Sequence, residues 1–285
     1  MTDSIQNQVF SNGARRQSTE SEIFRETREP AVARLVAPLN EMAVNSPNLL
    51  VNRGARFESE GKVWELPHYL FIGPRGGDAP LRLGIFGAIH GDEPEGARAI
   101  VQFVKVLEAK PELATGYCLS FYPVCNPTGF EDGTKHSRSG KDLNREFWKN
   151  STEPEVRFLE TELRWRAFDG IISLRTDETS DGLYGIAAGA TLTRHLIEPA
   201  LRAAEEFLPR DSRPLIDGFE ARDGIVRAQS SDALSAPPKT RPRPFEIVLE
   251  TPKSPPSFFK ECALVMALQS ILTEYRKFIA YGANL

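Results

Sequence analysis

The chain has no apolar run close to the roughly 20 residues that span a bilayer. The longest candidate, Cys262 to Leu272, is broken by Gln269 and Ser270, so no membrane role is expected. The first residues, Met1-Thr2-Asp3-Ser4-Ile5-Gln6, lack the basic patch and apolar block of a secretory signal. Cysteine is scarce: Cys118, Cys125 and Cys262 make no CxxC pair and no even framework, and they read as reduced, mostly packed thiols of a cytoplasmic protein. Basic charge is not in excess either. Thirty-five Lys and Arg against 39 Asp and Glu leave a net charge of −4, which argues against nucleic acid as a partner, because counterion release needs a concentrated basic surface. What remains is ordinary globular material, with 40% apolar and 26% charged side chains over 285 residues, enough to bury a sizeable core.

Strand and helix patterns alternate from Val63 onward. Val63–Ile72 is rich in β-formers, and Leu81–Ile89 is a nearly continuous apolar run, as a strand covered on both faces would be. Pro94–Leu107 has helical spacing, with Pro94 suited to a first turn. Tyr117–Val124, Gly170–Leu174 and Phe245–Glu250 read as strands; Glu155–Arg166, Thr193–Phe207 and Phe258–Ile279 read as helices. The alternation predicts an α/β fold around one sheet. Residues 1–45 are expected to be a polar N-terminal extension and 46–285 a single domain, with the irregular stretch 211–244 running over the active face or forming a loop.

Three constellations can carry chemistry. In Ala88-Ile89-His90-Gly91-Asp92-Glu93, a His and a Glu three apart across a strand-to-helix turn can face one point and bind Zn²⁺ through nitrogen and oxygen. The stretch from Asn126-Pro127-Thr128-Gly129-Phe130 to Arg138 and Asp142-Leu143-Asn144-Arg145 gathers guanidiniums and an amide in a loop; Arg matches a carboxylate with two parallel bonds. The plainer reading of that loop is a solvated turn with Asp142 and Arg145 paired. In Phe245-Glu246-Ile247-Val248-Leu249-Glu250-Thr251-Pro252, alternation puts Glu246, Val248 and Glu250 on one face, and a carboxylate at the end of an apolar strand can serve as a general base.

In this order the three resemble the zinc carboxypeptidase family, with its murein-peptide-amidase and succinylglutamate desuccinylase or aspartoacylase relatives, over roughly residues 63–280. The resemblance implies a three-layer α/β/α sandwich around a mixed sheet of about eight strands. It implies that His90 and Glu93 hold one zinc ion, that Arg138 polarises the scissile carbonyl, that Asn144 and Arg145 grip a terminal carboxylate, and that Glu250 is the general base. The expected partner is a small peptide or acylated amino acid with a free carboxylate. The activity implied is zinc-dependent hydrolysis of the neighbouring peptide or amide bond, or N-acyl-amino-acid deacylation.

One position departs from the family pattern. The third zinc ligand is a His at the end of a later strand, and in Ile171-Ile172-Ser173-Leu174-Arg175-Thr176-Asp177 the residue there is Arg175. Guanidinium offers no usable lone pair and stays protonated, so it cannot ligate zinc. Arg175 is expected either to fill the site and pair with Glu93, or to swing away while Asp177 or His136 substitutes. The first outcome or a weakened metal site is favoured, and with it a non-catalytic carboxylate binder as the alternative to an enzyme. His68, within a strand, and His195, on a helix, are expected to be packed or at the surface.

Overall fold

The computed structural model describes residues 29–52, 54–75, 79–189, 192–226 and 233–282. The chain divides into two compact units at Pro30, and everything below concerns Ala31–Leu285. Residues 31–45, expected within the N-terminal extension, fall in this second unit. Residues Ala31–Asn45 form helix α1, in which Val36 and Leu39 are buried in the main core with Leu35 and Met42 packed against it. Those positions recur at helical spacing, and burial of each large aliphatic side chain contributes about 1.5–3 kcal/mol.

The strands are β1 (Leu49–Asn52), β2 (Arg56–Ser59), β3 (Lys62–Glu65), β4 (His68–Ile72), β5 (Leu81–Gly87), β6 (Tyr117–Tyr122), β7 (Gly170–Asp177), β8 (Tyr184–Gly189), β9 (Leu215–Ile216), β10 (Phe219–Arg222), β11 (Ile225–Val226) and β12 (Phe245–Pro252). The remaining helices are α2 (Pro94–Ala109), α3 (Pro127–Asp132), α4 (Pro154–Trp165), α5 (Thr193–Ala204) and α6 (Ser257–Gly282). All but β2 and β3, which pair with each other, join one mixed sheet of ten strands in the order β1-β4-β6-β5-β7-β12-β8-β11-β10-β9. Three short strands from the irregular stretch 211–244 carry its edge past the expected number. Part of that stretch, residues 227–232, lies outside the described residues, as does the polar segment 1–28.

Helices cover both faces of the sheet. Side chains of α1, α2, α5 and α6 share one core with Leu83, Ile85, Leu119, Phe121, Ile172, Leu174, Ile247 and Leu249. On the other face α4 contributes Val156, Leu159 and Leu163, which meet Phe86, Tyr122 and Ile171. The alternation along each strand thus sends neighbouring residues to opposite layers. Strands β6, β5, β7 and β12 run parallel, so their carboxyl ends open on one side of the sheet, where ligands of open α/β folds bind.

His68 is fully buried in β4, stacked on Tyr122 at 4.3 Å between ring centroids, with neither ring nitrogen hydrogen-bonded. Burial, reinforced by the charge of Arg166 and opposed by Glu162, lowers its pKa to about 4. The unfolded chain, titrating near 6.5, takes up this proton first as the pH falls. Stability from the neutral ring is therefore complete above about pH 6.5 and declines as the pH drops through 4, by on the order of 3 kcal/mol. Urea unfolding of the native chain and of His68→Phe at pH 7 and 4.5 checks this: the loss on acidification should be smaller in the variant. Equal losses would assign the acid sensitivity to other groups.

Candidate functional site

At the end of β5 the backbone turns sharply. Ala88 has φ +44°, a conformation that costs a non-glycine residue about 1 kcal/mol or more. The turn delivers His90 and then Glu93, the residue that precedes α2. Gly91 lies where a Cβ would fall 2.0 Å from the carbonyl carbon of Gly129, so the His90 turn and the start of α3 touch backbone to backbone.

His90 is buried and held at both ring nitrogens: Nδ1 is 2.6 Å from Glu93 Oε1 and Nε2 is 3.2 Å from Asp142 Oδ1. Burial works against its proton, but the bonds to Asp142 and Glu93 outweigh burial and Arg175 and raise its pKa. Burial by itself would raise Asp142; the hydrogen bond and charge of His90, with Lys135 and Arg145, instead hold it well below the usual carboxylate range. The second Glu93 oxygen accepts the backbone N–H of Thr176 at 3.1 Å, tying the turn to the end of β7.

Register across the sheet sets the floor of the site. Glu250 on β12 is level with Arg175 on parallel β7 and with Tyr184 on antiparallel β8. Arg175 Nη1 lies 3.3 Å from Glu250 Oε1, and Nη2 lies 3.5 Å from His90 Nδ1. Burial pushes the Glu250 carboxyl up to about 7, with the charges of Glu93 and Asp177 adding to it and those of Arg175 and His90 opposing it. Burial opposes the Arg175 charge too, and Glu250 and Glu93 more than compensate. Tyr184 OH donates to Asp177 Oδ2 at 3.1 Å, and the other Asp177 oxygen caps Thr179.

These groups line a cleft of about 940 Å³ whose cations are Lys135, Arg145, Arg175, Lys253 and Lys260. Lys260 is paired with Glu95 at 2.8 Å, and Lys253 with Glu178. Arg145, 77% exposed on the rim, approaches Asp142 at 3.5 Å through Nε. This is the pairing that the plainer reading of the loop anticipated, and it leaves the outer edge of the guanidinium open.

The cleft thus gathers His90, Glu93, Arg145, Arg175, Asp177 and Glu250. It does not include Arg138 or Asn144 as expected. Arg138 donates to Asp132 through Nε at 2.7 Å and Nη2 at 2.6 Å and lies over the Trp64 ring, so a fork partner and a cation–π contact from other elements hold it away. Asn144 Oδ1 accepts the Leu234 N–H at 3.3 Å and so fastens the loop after β11 rather than a ligand. Arg175 meets Glu250 rather than Glu93, because both Glu93 oxygens are engaged. Asp177 turns to Tyr184, and His136 is exposed outside the cleft. Asp142 was expected to pair with Arg145, but sequence reasoning missed its contact with His90, which spans 52 positions.

The donor set does not fit zinc. No three His, Cys, Asp or Glu side chains converge for a metal among the described residues. The nearest group at the expected third position is a guanidinium, and both His90 nitrogens are already engaged by the carboxylates of Glu93 and Asp142.

Fold and site define an α/β sandwich with an acid–base–cation row at its strand ends. Residues 80–170 match the family model for the succinylglutamate desuccinylase/aspartoacylase catalytic domain, a stretch that contains His90, Glu93 and Arg145 but neither Arg175 nor Glu250. Solved structures share the fold. A presumed metallopeptidase from Shewanella denitrificans OS217 is 21% identical with a TM-score of 0.72, over 85% of this chain and 90% of that one. A metallo-carboxypeptidase from Burkholderia cenocepacia is 17% identical with a TM-score of 0.62, over 87% and 69%. A third, from Pseudomonas aeruginosa in complex with (2-guanidinoethylmercapto)succinic acid, is 19% identical with a TM-score of 0.60, over 83% and 67%. None of the curated proteins matches the chain in sequence. Residues 80–170 thus carry the desuccinylase/aspartoacylase pattern, and the chain shares the fold of these metallopeptidase and metallo-carboxypeptidase structures. No helix among the described residues is long and apolar enough to cross a membrane.

Proposed function

We propose that the cleft binds a small molecule with a free carboxylate, of the size of a short peptide or an acylated amino acid. The observation that carries this reading is the placement of two guanidiniums in one cleft, Arg145 open on the rim and Arg175 on the floor, at the carboxyl ends of the parallel strands. A planar guanidinium matches a carboxylate with paired bonds, and the succinic acid derivative held by the Pseudomonas aeruginosa relative is a carboxylate of the same kind.

Calorimetry with N-acetylglycine and its amide tests the reading. The acid should bind and the amide should bind at least tenfold more weakly; equal affinities would remove the carboxylate from the argument. Arg145→Ala should cost about 1–2 kcal/mol of binding, since a rim cation is partly screened by water. Arg138→Ala should leave binding unchanged, because the Arg138 side chain is engaged by Asp132, Glu60 and Trp64 outside the cleft. Loss of binding in Arg138→Ala alone would bring Arg138 into the ligand site.

A second reading, hydrolysis of the amide bond beside that carboxylate, is favoured by Glu250. A buried carboxyl brought to about 7 is near half protonated at neutral pH, suited to taking a proton and returning it. Hydrolysis of N-acetylglycine or a dipeptide, assayed both with zinc supplied and after chelation, decides between the two: turnover in either condition selects the enzyme, and binding without turnover in both selects the binder.

A further inference from the structure

Arginines with settled partners show what a satisfied guanidinium looks like in this chain. Arg138 makes a two-pronged fork on Asp132 at 2.7 and 2.6 Å, and Arg213 a fork on Asp211, Nε to Oδ1 at 3.0 Å and Nη2 to Oδ2 at 2.5 Å. Arg175 has no such fork. Among the described residues its two polar side-chain contacts, to Glu250 and His90, are 3.3 and 3.5 Å long, and its buried Nε has no hydrogen-bond partner. An unmatched N–H in a protein interior is destabilising, so the position is kept at the expense of stability unless something else accepts the bond.

The surroundings indicate what that acceptor is. The side chain of Arg175 is one-fifth exposed, and it opens into the cleft rather than into a packed core. Glu250 and Tyr184 are fixed beside it by strand register, so the guanidinium has one open side, toward the ligand space. A planar donor edge with one long ion pair suits a planar pair of oxygens.

Resting on the reading of the cleft as a carboxylate pocket, we propose that Arg175 is a resident cation at the expected metal position, and that it receives the ligand's carboxylate directly, in place of Glu250 and without zinc. Glu250 is then the internal occupant of the guanidinium, displaced when the ligand arrives. Arg145 on the rim assists approach and contributes the smaller share of affinity.

The test uses the full chain treated with chelator, N-acetylglycine as the probe carboxylate, and zinc as a separate probe. The native chain should bind N-acetylglycine equally with and without chelator and should take up no stoichiometric zinc. Arg175→Gln should weaken N-acetylglycine about 10- to 100-fold, and Arg175→Lys should recover part of that loss, because an ammonium keeps the charge without the fork. Arg175→His should bind zinc and gain a zinc-dependent rise in melting temperature that the native chain lacks. Melting curves of each variant establish that it is folded, and Arg175→Lys supplies the comparison where Arg175→Gln is not. Tight zinc in the native chain would overturn the proposal. So would unchanged binding in Arg175→Gln when Arg145→Ala abolishes it, an outcome that leaves the carboxylate pocket standing with its grip on the rim. Sulfate bound as tightly as N-acetylglycine would overturn the carboxylate assignment. No binding of N-acetylglycine to the native chain would remove the pocket reading itself.

Discussion

Replacing Glu250 with Gln is expected to lower any turnover of an amide substrate by roughly 10²–10⁴-fold while strengthening carboxylate binding several-fold. The two effects have opposite signs for one reason. Glu250 is the buried group able to move a proton on the floor, and it is also the anion that occupies Arg175 at 3.3 Å. Gln keeps the shape, removes the base and removes the competitor. Parallel measurement of initial rates and of N-acetylglycine affinity reads both. Turnover that survives would place the base elsewhere, and affinity that falls would mean Glu250 helps to hold the ligand rather than competing with it.

Gly91→Ala is expected to cost about 3 kcal/mol or more of stability and to disorganise the His90 turn. A Cβ at that position would fall 2.0 Å from Gly129 carbon and 2.3 Å from Phe130 nitrogen, both backbone atoms that no rotamer change can move. Overpacking against side chains usually costs about 1–3 kcal/mol, and a rigid partner puts this site at the upper end. Because Glu93 and Asp142 both lean on His90, the displacement should also weaken ligand binding. Chemical denaturation checks the first effect and calorimetry the second. A loss below about 1 kcal/mol would show that α3 yields easily and that the contact is not what fixes the turn.

Much of this architecture was legible because buried parallel strands carry continuous apolar runs. Leu81–Ile89, Gly170–Leu174 and Phe245–Glu250 are found as β5, β7 and β12, and the residues expected at their ends line the cleft. Helix α1 was hidden by Pro38, which interrupts an otherwise amphipathic pattern without ending the helix. The strands β9 to β11 are only two to four residues long and carry too little periodicity to be seen. For side chains the limit was range. The turning away of Arg138 depends on Asp132 and Trp64, brought together by different elements, and the seating of Asp142 against His90 depends on the loop after α3 folding back on the turn after β5. Arg175 could be read as an obstacle to zinc from its chemistry alone. That it would face Glu250 rather than Glu93 required the strand register and the backbone N–H of Thr176, which claims the second Glu93 oxygen.

A guanidinium on the floor of the cleft changes what the protein depends on. A metal ion is a dissociable partner, with an occupancy that follows its free concentration, the acidity of its ligands and the presence of competitors. Arg175 is part of the polymer, remains charged at any pH the fold survives, and is present at one per chain from the moment of synthesis. Metal starvation and chelators have no purchase on it. The exchange also removes a chemical resource, since an arginine orients and neutralises an anion but does not make a bound water acidic as zinc does. With Arg175 as the resident cation, recognition of an anion would need no metal, whereas hydrolysis would have to rely on Glu250 to take the proton from a water.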